Sequence, residues 1–495
     1  MPISTPGRRW QPAYKSFKKE SLGKKFLIGF EQVVKGPLFG CRQCGNCLLQ
    51  ETAFICPMAC PKGLRNGPCG GSTPERCYVD TSRPCIWYKI HERAFKMGRE
   101  EKLLEVLPPV DWEKVGGETW GDVGAQIKKI GVKKVFSGLV LGKGEGRHET
   151  WESVFKPVRQ PEWWQGDDRY HAPASVEPVS ALERSLRSGR FTVACEIQPP
   201  LSMATKKLLE NIALVKPFVT AINFTDNASS TPRMSSWACS SLAVQAGAEP
   251  VMQIAARDRT RAGLQGEIVG ATALGVRNVL CVTGDSAVLA PQPRGRMDIN
   301  DMDSVQMLWI LRRMRDEAHY LDGRELKTPP KFFLGAAASP YASDPRFQAL
   351  RENKKVNAGA QFFQTNIVYD VERMEVWLNE LAKRNVLDKV FILIGVTPLK
   401  SAKMAHYMTQ VPGVFIPESV IARMDAADAS GGAAGAQEEG VTITLEIVEK
   451  VRKLQGVHGL HIMPVGWEDV VPRIVTEAGL PLPLGSDAAA GSKKA

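Results

Sequence analysis

From about residue 185 onward the chain repeats one pattern eight times: a short apolar run, then in most cases a helix-length segment. The runs are Phe191–Glu196, Phe218–Phe224, Pro250–Ala255, Asn278–Thr283, Phe332–Ala336, Phe362–Asn366, Val390–Gly395 and Leu460–Met463. Helical segments between them include Ala204–Val215, Thr260–Leu274, Val305–His319 and Val371–Arg384. Strands that alternate with helices predict parallel βα units. Eight such units over about 290 residues predict a closed (β/α)8 barrel rather than an open doubly wound sheet. The expected fold class is α/β, with a (β/α)8 barrel over 181–484 preceded by a small cysteine-rich metal-binding domain.

That preceding domain announces itself by its thiols. Of eleven cysteines, eight fall between Cys41 and Cys85: Cys41, Cys44, Cys47, Cys56, Cys60, Cys69, Cys77 and Cys85. Close spacing on a Pro/Gly-kinked chain predicts a thiolate cage for zinc or an iron–sulfur cluster. Eight thiolates serve two [4Fe–4S] clusters, two zinc sites, or one of each. The run Cys41-x2-Cys44-x2-Cys47 favours a cluster, although the fourth ligand is not at ferredoxin spacing. Cys195, Cys239 and Cys281 fall in barrel segments and are expected to be small buried hydrophobes.

The remaining zones are read from composition. Residues 1–35 form a basic arm, and much of the net charge of +11 sits there. No nucleic-acid-binding module follows it, so a solvated or docking surface is expected and nucleic acid is not. Residues 36–110 hold the cysteines and a helical stretch from Cys85 to Leu107. Residues 111–180 read as an irregular Trp/Pro-rich connecting arm, stable only if its aromatics pack on another surface. Ala426 to Gly440 reads as a flexible surface loop and 485–495 as a disordered tail. No window is apolar enough for a membrane span. A cytoplasmic location follows, where clustered cysteines serve as ligands or redox groups rather than disulfides.

Barrels of this type carry their chemistry where the strands end. Those ends are polar here: Glu196, Thr225-Asp226-Asn227, Gln253, Thr283-Gly284-Asp285, Gln364-Thr365-Asn366 and Thr397. Glu196 and Asp285 are read as site residues; Asp226 stands equally well as a helix cap. His406, His458 and His461 form no ligand-spaced cluster and are expected to be satisfied structural histidines.

In order along the barrel come Ala194-Cys195-Glu196-Ile197-Gln198-Pro199-Pro200, Val282-Thr283-Gly284-Asp285 and Lys355-Val356-Asn357-Ala358-Gly359-Ala360. Gln364-Thr365-Asn366, Ile394-Gly395-Val396-Thr397-Pro398 and Gly456-Val457-His458-Gly459-Leu460-His461 complete the series. Together these blocks resemble the methylenetetrahydrofolate reductase family. Cys60-Pro61-Lys62-Gly63-Leu64-Arg65-Asn66-Gly67-Pro68-Cys69-Gly70-Gly71 and Pro84-Cys85-Ile86-Trp87 resemble the small zinc or iron–sulfur subunit that accompanies short reductases in acetogens.

The resemblance implies a flavin, FAD in preference to FMN, at the barrel mouth. It also implies hydride transfer between 5,10-methylenetetrahydrofolate and 5-methyltetrahydrofolate. By carry-over Glu196 is the catalytic acid and Asp285 the carboxylate beside flavin and pterin. Thr225, Gln253 and Lys355 lie at cofactor positions, Gln364 and Asn366 at substrate positions. Asn366 stands where better-studied members carry glutamine, and Gln253 near where they place a histidine. The implied partners are tetrahydrofolate and a ferredoxin-like or other redox protein, with NAD(P)H as the other donor and a homo-oligomer as the expected assembly. Two other classes remain: a pterin- or corrinoid-linked methyltransferase, and a non-enzymatic electron-transfer scaffold.

Overall fold

Eight parallel strands close on themselves in sequence order in the computed structural model, which describes residues 21–142, 145–285, 300–341 and 343–484. They are β1 (Thr192–Ile197), β2 (Ala221–Phe224), β3 (Pro250–Ala255), β4 (Asn278–Val282), β5 (Phe333–Ala338), β6 (Phe362–Ile367), β7 (Phe391–Val396) and β8 (Gly459–Ile462). Closure comes from β8 lying beside β1, with Ala194 opposite His461. The (β/α)8 barrel expected from the repeats is therefore present.

Alternation along the strands stacks the barrel interior in layers. The floor is apolar: Ala194, Ala221, Val251, Leu280, Phe333, Phe362 and Leu393 cluster with Leu182 and Leu186 of the helix Ala181–Arg187. That helix plugs the closed end. Glycine is required on this wall. A Cβ on Gly335 would meet the Phe362 ring at 2.3 Å, and one on Gly459 the Thr192 carbonyl at 2.0 Å. The next inward layer is polar on five strands, with Glu196, Asn223, Gln253, Gln364 and His461, whereas β4, β5 and β7 place Val282, Gly335 and Gly395 there. This places polar chemistry above a dry floor, at the C-terminal end of the strands.

The cysteine-rich module packs against the barrel's outer wall and mouth. Leu64, Trp87, Tyr88, Ile90 and Ala94 share one apolar cluster with Phe347 and Leu350 of the barrel helix Pro345–Asn357. Asp303 ties the two together. It caps the helix Ser304–Asp316 through the Val305 and Gln306 amides, and also accepts from the Arg65 amide and the Asn66 side chain.

Three expectations need correction. The helix Leu22–Phe39 runs through the expected boundary at residue 35, so the second half of the basic arm is helical; residues 1–20 and the tail from 485 lie outside the described residues. Residues 111–180 are not irregular: they hold the helices Trp120–Ile130, Val132–Phe136 and Glu145–Arg159. Their tryptophans pack on other surfaces as anticipated, Trp164 donating to the Val106 carbonyl and Trp112 to Asp301.

Finally, Ala426–Gly440 is not a loop. It lies within Glu418–Val451, helical except at Gly432, where φ 59° and ψ −152° turn the chain back on itself. Alanine-rich sequence is helix-forming, and low complexity concealed that. The turn brings Arg423 onto Glu439 and Glu446. A Cβ on Gly440 would sit 1.9 Å from the Leu399 carbonyl oxygen, so close packing explains that glycine.

Candidate active site at the barrel mouth

A cavity of about 350 Å³ opens at the C-terminal ends of the strands. Its barrel wall includes Thr225, Gln253, Asp285, Lys355 and Asn366. Five residues of the cysteine-rich module, Lys62, Cys69, Gly70, Gly71 and Tyr78, close it from above. The site is thus composite.

Glu196 is the last but one residue of β1, with 21 % of its side chain exposed; it is not itself among the cavity-lining residues but lies behind Gln253, which is. Gln253 Nε2 donates to Glu196 Oε2 at 3.0 Å. Burial pushes the Glu196 carboxyl up to about 7, and the Gln253 hydrogen bond opposes only part of that rise. A carboxyl tuned this way is half-protonated near neutrality and can act as acid or base.

Beneath it lies His461, 3 % exposed, with Nε2 3.8 Å from Glu196 Oε2. Neither ring nitrogen has a hydrogen-bond partner among the described residues. Burial pushes the imidazole down to about 3, so it is neutral and forms no ion pair with Glu196. The expectation of a satisfied structural histidine is corrected for His461. Its alternation with Gly459 and Met463 along β8, opposite inward Ala194, is the signal that places it inside.

Asp285 follows β4 and Gly284, whose φ of 85° favours glycine. The Ser229 amide donates to Asp285 Oδ2 at 2.7 Å, and burial, followed by the charge of Asp285, pushes the Tyr78 phenol up. Arg257 Nη1 donates to the Asp285 carbonyl at 3.1 Å, fixing the strand end from the barrel side. Asp226, left open between cap and site, also lines the cavity. Its carboxylate is committed to the Ala255 amide and an ion pair with Arg259.

Across the mouth, the buried Lys355 donates to the Ala337 carbonyl. Burial, followed by the charge of Arg351, pushes its ammonium down to about 7. Arg351, one helical turn before Lys355, lines the same cavity; that i, i+4 spacing was a legible signal for the pair. The Thr225 hydroxyl is buried with no partner. A cavity lined by an unpaired hydroxyl, a guanidinium and a lysine fits a polar cofactor bearing a phosphate.

The two substrate positions diverge. Asn366 lines the cavity, its amide 3.4 Å from Ser339 Oγ. Gln364 is turned into the barrel below, where its amide and that of Asn223 hydrogen-bond reciprocally. Gln364 is not among the cavity-lining residues, because the polar middle layer takes both ends of its amide.

The eight cysteines divide into two sets, each around its own cavity. Cys41, Cys44, Cys47 and Cys56 surround one, and Cys60, Cys69, Cys77 and Cys85 the other. As they stand, no three His, Cys, Asp or Glu side chains among the described residues converge closely enough to hold a metal ion. Two buried cations lie beside the first set. Lys35 Nζ is 3.7 Å from Cys47 Sγ and paired with Glu31, and Arg65 reaches the Asn46 carbonyl at 3.3 Å. Cys195, Cys239 and Cys281 are buried, as expected.

A family profile described as “Methylenetetrahydrofolate reductase” matches residues 181–479. A second, described as “Methylene-tetrahydrofolate reductase C terminal”, matches residues 22–113. Methylenetetrahydrofolate reductases 2 and 1 of Schizosaccharomyces pombe are each 26 % identical, over 220 and 212 residues. Each alignment covers 42 % of this chain and 32 % of the relative, so the match spans about a third of those curated proteins. A solved Clostridium thermocellum protein, described as binding two copies of 5-methyl-5,6,7,8-tetrahydrofolic acid, aligns with 60 % of this chain and 97 % of its own. It is 18 % identical, with a TM-score of 0.43. Among the described residues no helix is long and apolar enough to cross a membrane.

Proposed function

The chain belongs to the methylenetetrahydrofolate reductase family, and we propose that it interconverts 5,10-methylenetetrahydrofolate and 5-methyltetrahydrofolate with a flavin bound at the barrel mouth. The observation that carries this reading is Glu196, held near a pKa of about 7 in a desolvated strand end beside the cavity.

Opening the methylene-bridged ring to an iminium cation needs a proton on the departing nitrogen. Glu196 supplies that proton and Gln253 orients the carboxyl. Asp285, held by the Ser229 amide, presents its carboxylate to the cation and lowers the energy of the charged intermediate electrostatically. The flavin, when bound, supplies the hydride to the methylene carbon. Thr225, with its unpaired hydroxyl, together with Arg351 and Lys355 would hold it, and the charge of a bound phosphate would favour the protonated form of Lys355. Asn366 faces the substrate. In reverse, Glu196 acts as the base that receives the proton.

The two cysteine sets are assigned as two soft-metal centres, iron–sulfur or zinc. Support comes from the four-and-four division of thiols. The cations buried beside the first set would offset the negative charge of a loaded thiolate site. Cys69 borders both the second cavity and the barrel mouth, which would give one-electron carriers, if the metal is iron, a route that ends at the flavin. An electron-donor protein then feeds the site; with zinc the sets act as a clamp.

Anaerobic purification with quantification of iron, zinc and flavin tests both parts. The expected result is a flavin absorbance, metal bound to the module, and folate turnover. A colourless preparation that still binds 5-methyltetrahydrofolate would instead favour a methyltransferase.

A further inference from the structure

The module segment Lys62-Gly63-Leu64-Arg65-Asn66 takes hold of the barrel on both sides of the connection between β4 and the helix Ser304–Asp316. At the β4 side, Lys62 Nζ donates to the Gly284 carbonyl at 2.7 Å. At the helix side, the Arg65 amide and the Asn66 side chain donate to Asp303 Oδ2 at 3.2 and 3.0 Å. Thr283 Oγ1 and Ser304 Oγ, 3.0 Å apart, join the two sides within the barrel. Lys62 is buried and lines both the cavity of the second cysteine set and the barrel mouth.

The carbonyl that Lys62 holds belongs to the residue just before Asp285. Gly284 needs to be glycine twice over: its φ is 85°, and a Cβ there would lie 3.1 Å from Ala255 Cβ and 3.2 Å from Arg257 Cβ. Glycine also has the widest choice of backbone angles, so the direction in which the chain leaves β4 depends on what holds its carbonyl. One residue later the barrel takes over. Arg257 Nη1 and Ser230 Oγ donate to the Asp285 carbonyl at 3.1 and 3.3 Å, and the Ser229 amide donates to its carboxylate at 2.7 Å. Asp285 is thus held from behind by the barrel, and the glycine before it is held by the module.

We propose that Lys62 is a positioning residue for the reaction: by holding the Gly284 carbonyl it fixes the exit of β4 and keeps the Asp285 carboxylate in place at the mouth. This rests on the folate-reducing role proposed above. It makes the barrel's catalytic geometry depend on the module, whatever metal the cysteines hold. Removing Nζ leaves the Gly284 carbonyl without that donor and lets the glycine relax to other backbone angles, so that Asp285 no longer meets the cation in one fixed position.

The test is a double-mutant cycle on the full-length, metal- and flavin-loaded chain, using Lys62→Met, Asp285→Asn and the two combined. Flavin reduction by 5-methyltetrahydrofolate is followed by rapid mixing, and binding of the same folate by calorimetry. Lys62→Met should slow the rate constant by about tenfold while leaving folate affinity within about twofold, because Asp285 acts on the charged intermediate. In the Asp285→Asn background the same change should slow the rate by less than about twofold, which a merely structural lysine would not show. An unfolded fraction lowers the amplitude of flavin reduction and not its rate constant, so lost stability does not imitate the effect. If Lys62→Met yields no flavin-bound chain, Lys62→Arg, which displaces the donor, takes its place in the cycle under the same criteria. A full-rate Lys62 variant, or losses that multiply in the double variant, would overturn the inference. So would a loss of folate affinity of about tenfold with an unchanged rate, which marks a wall residue only. A parent chain that turns over no folate overturns this inference and the proposed function together. An active parent with a full-rate Lys62 variant overturns this inference alone.

Discussion

At the scale of single residues, the account turns on the protonation of Glu196. Its carboxyl is raised to about 7 by burial. The acid form therefore dominates below that pH and is lost above it. Reduction of methylenetetrahydrofolate should hold level at lower pH and fall about tenfold per unit above about pH 7. Oxidation of 5-methyltetrahydrofolate, which needs the carboxylate, should rise through the same region. Rate constants for the two half-reactions measured from pH 5.5 to 8.5 check this. Gln253 donates to the ionised form and so holds the carboxyl down. Gln253→Leu should move both limbs upward by about one pH unit, and an unmoved profile would remove Gln253 from that role. Glu196 and Asp285 were legible because strand ends are where such barrels place function. His461 was not, because its meaning depends on a register with β1 that only the closed barrel supplies. Tyr78 left no sequence signal at all, since it lines the same cavity as Asp285 only through the packing of one module on another.

At the scale of elements, apolar runs located every strand to within a few residues, because parallel strands buried on both faces are continuous hydrophobic stretches. The helical hairpin at Glu418–Val451 was misread because its apolar stripe is thin and its alanines resemble a linker. Its turn now makes a specific demand. At φ 59° and ψ −152°, Gly432 occupies backbone space closed to residues with a Cβ. Gly432→Ala should destabilise the protein by about 1–3 kcal/mol. Denaturant unfolding measures this, and an unchanged midpoint would mean the two helical halves do not turn there. The tryptophans of residues 111–180 were recognised as packing residues, whereas the helices between them were hidden by the broken periodicity those same tryptophans cause.

For the whole molecule, the union of module and barrel is the property least accessible to sequence. Spacing alone described eight thiols; it did not divide them into Cys41/Cys44/Cys47/Cys56 and Cys60/Cys69/Cys77/Cys85, nor set the second group over the barrel mouth. Asp303 is the joint on which this arrangement rests. Asp303→Ala removes a helix cap and the acceptor for Arg65 and Asn66, leaving the buried Arg65 with less compensation. A loss of about 3 kcal/mol is expected, together with faster proteolysis between the module and the barrel. Unchanged unfolding and cleavage would show that the apolar contacts of Phe347 and Leu350 suffice.

The central claim, that this mouth protonates a folate through Glu196, is tested most directly by Glu196→Gln. Glutamine keeps the shape and the Gln253 contact but cannot give up a proton. Flavin content and 5-methyltetrahydrofolate binding should stay at parental levels, while folate-dependent flavin oxidation and reduction fall by at least about a thousandfold. A Glu196→Gln chain that reacts with folate at the parental rate would contradict the account.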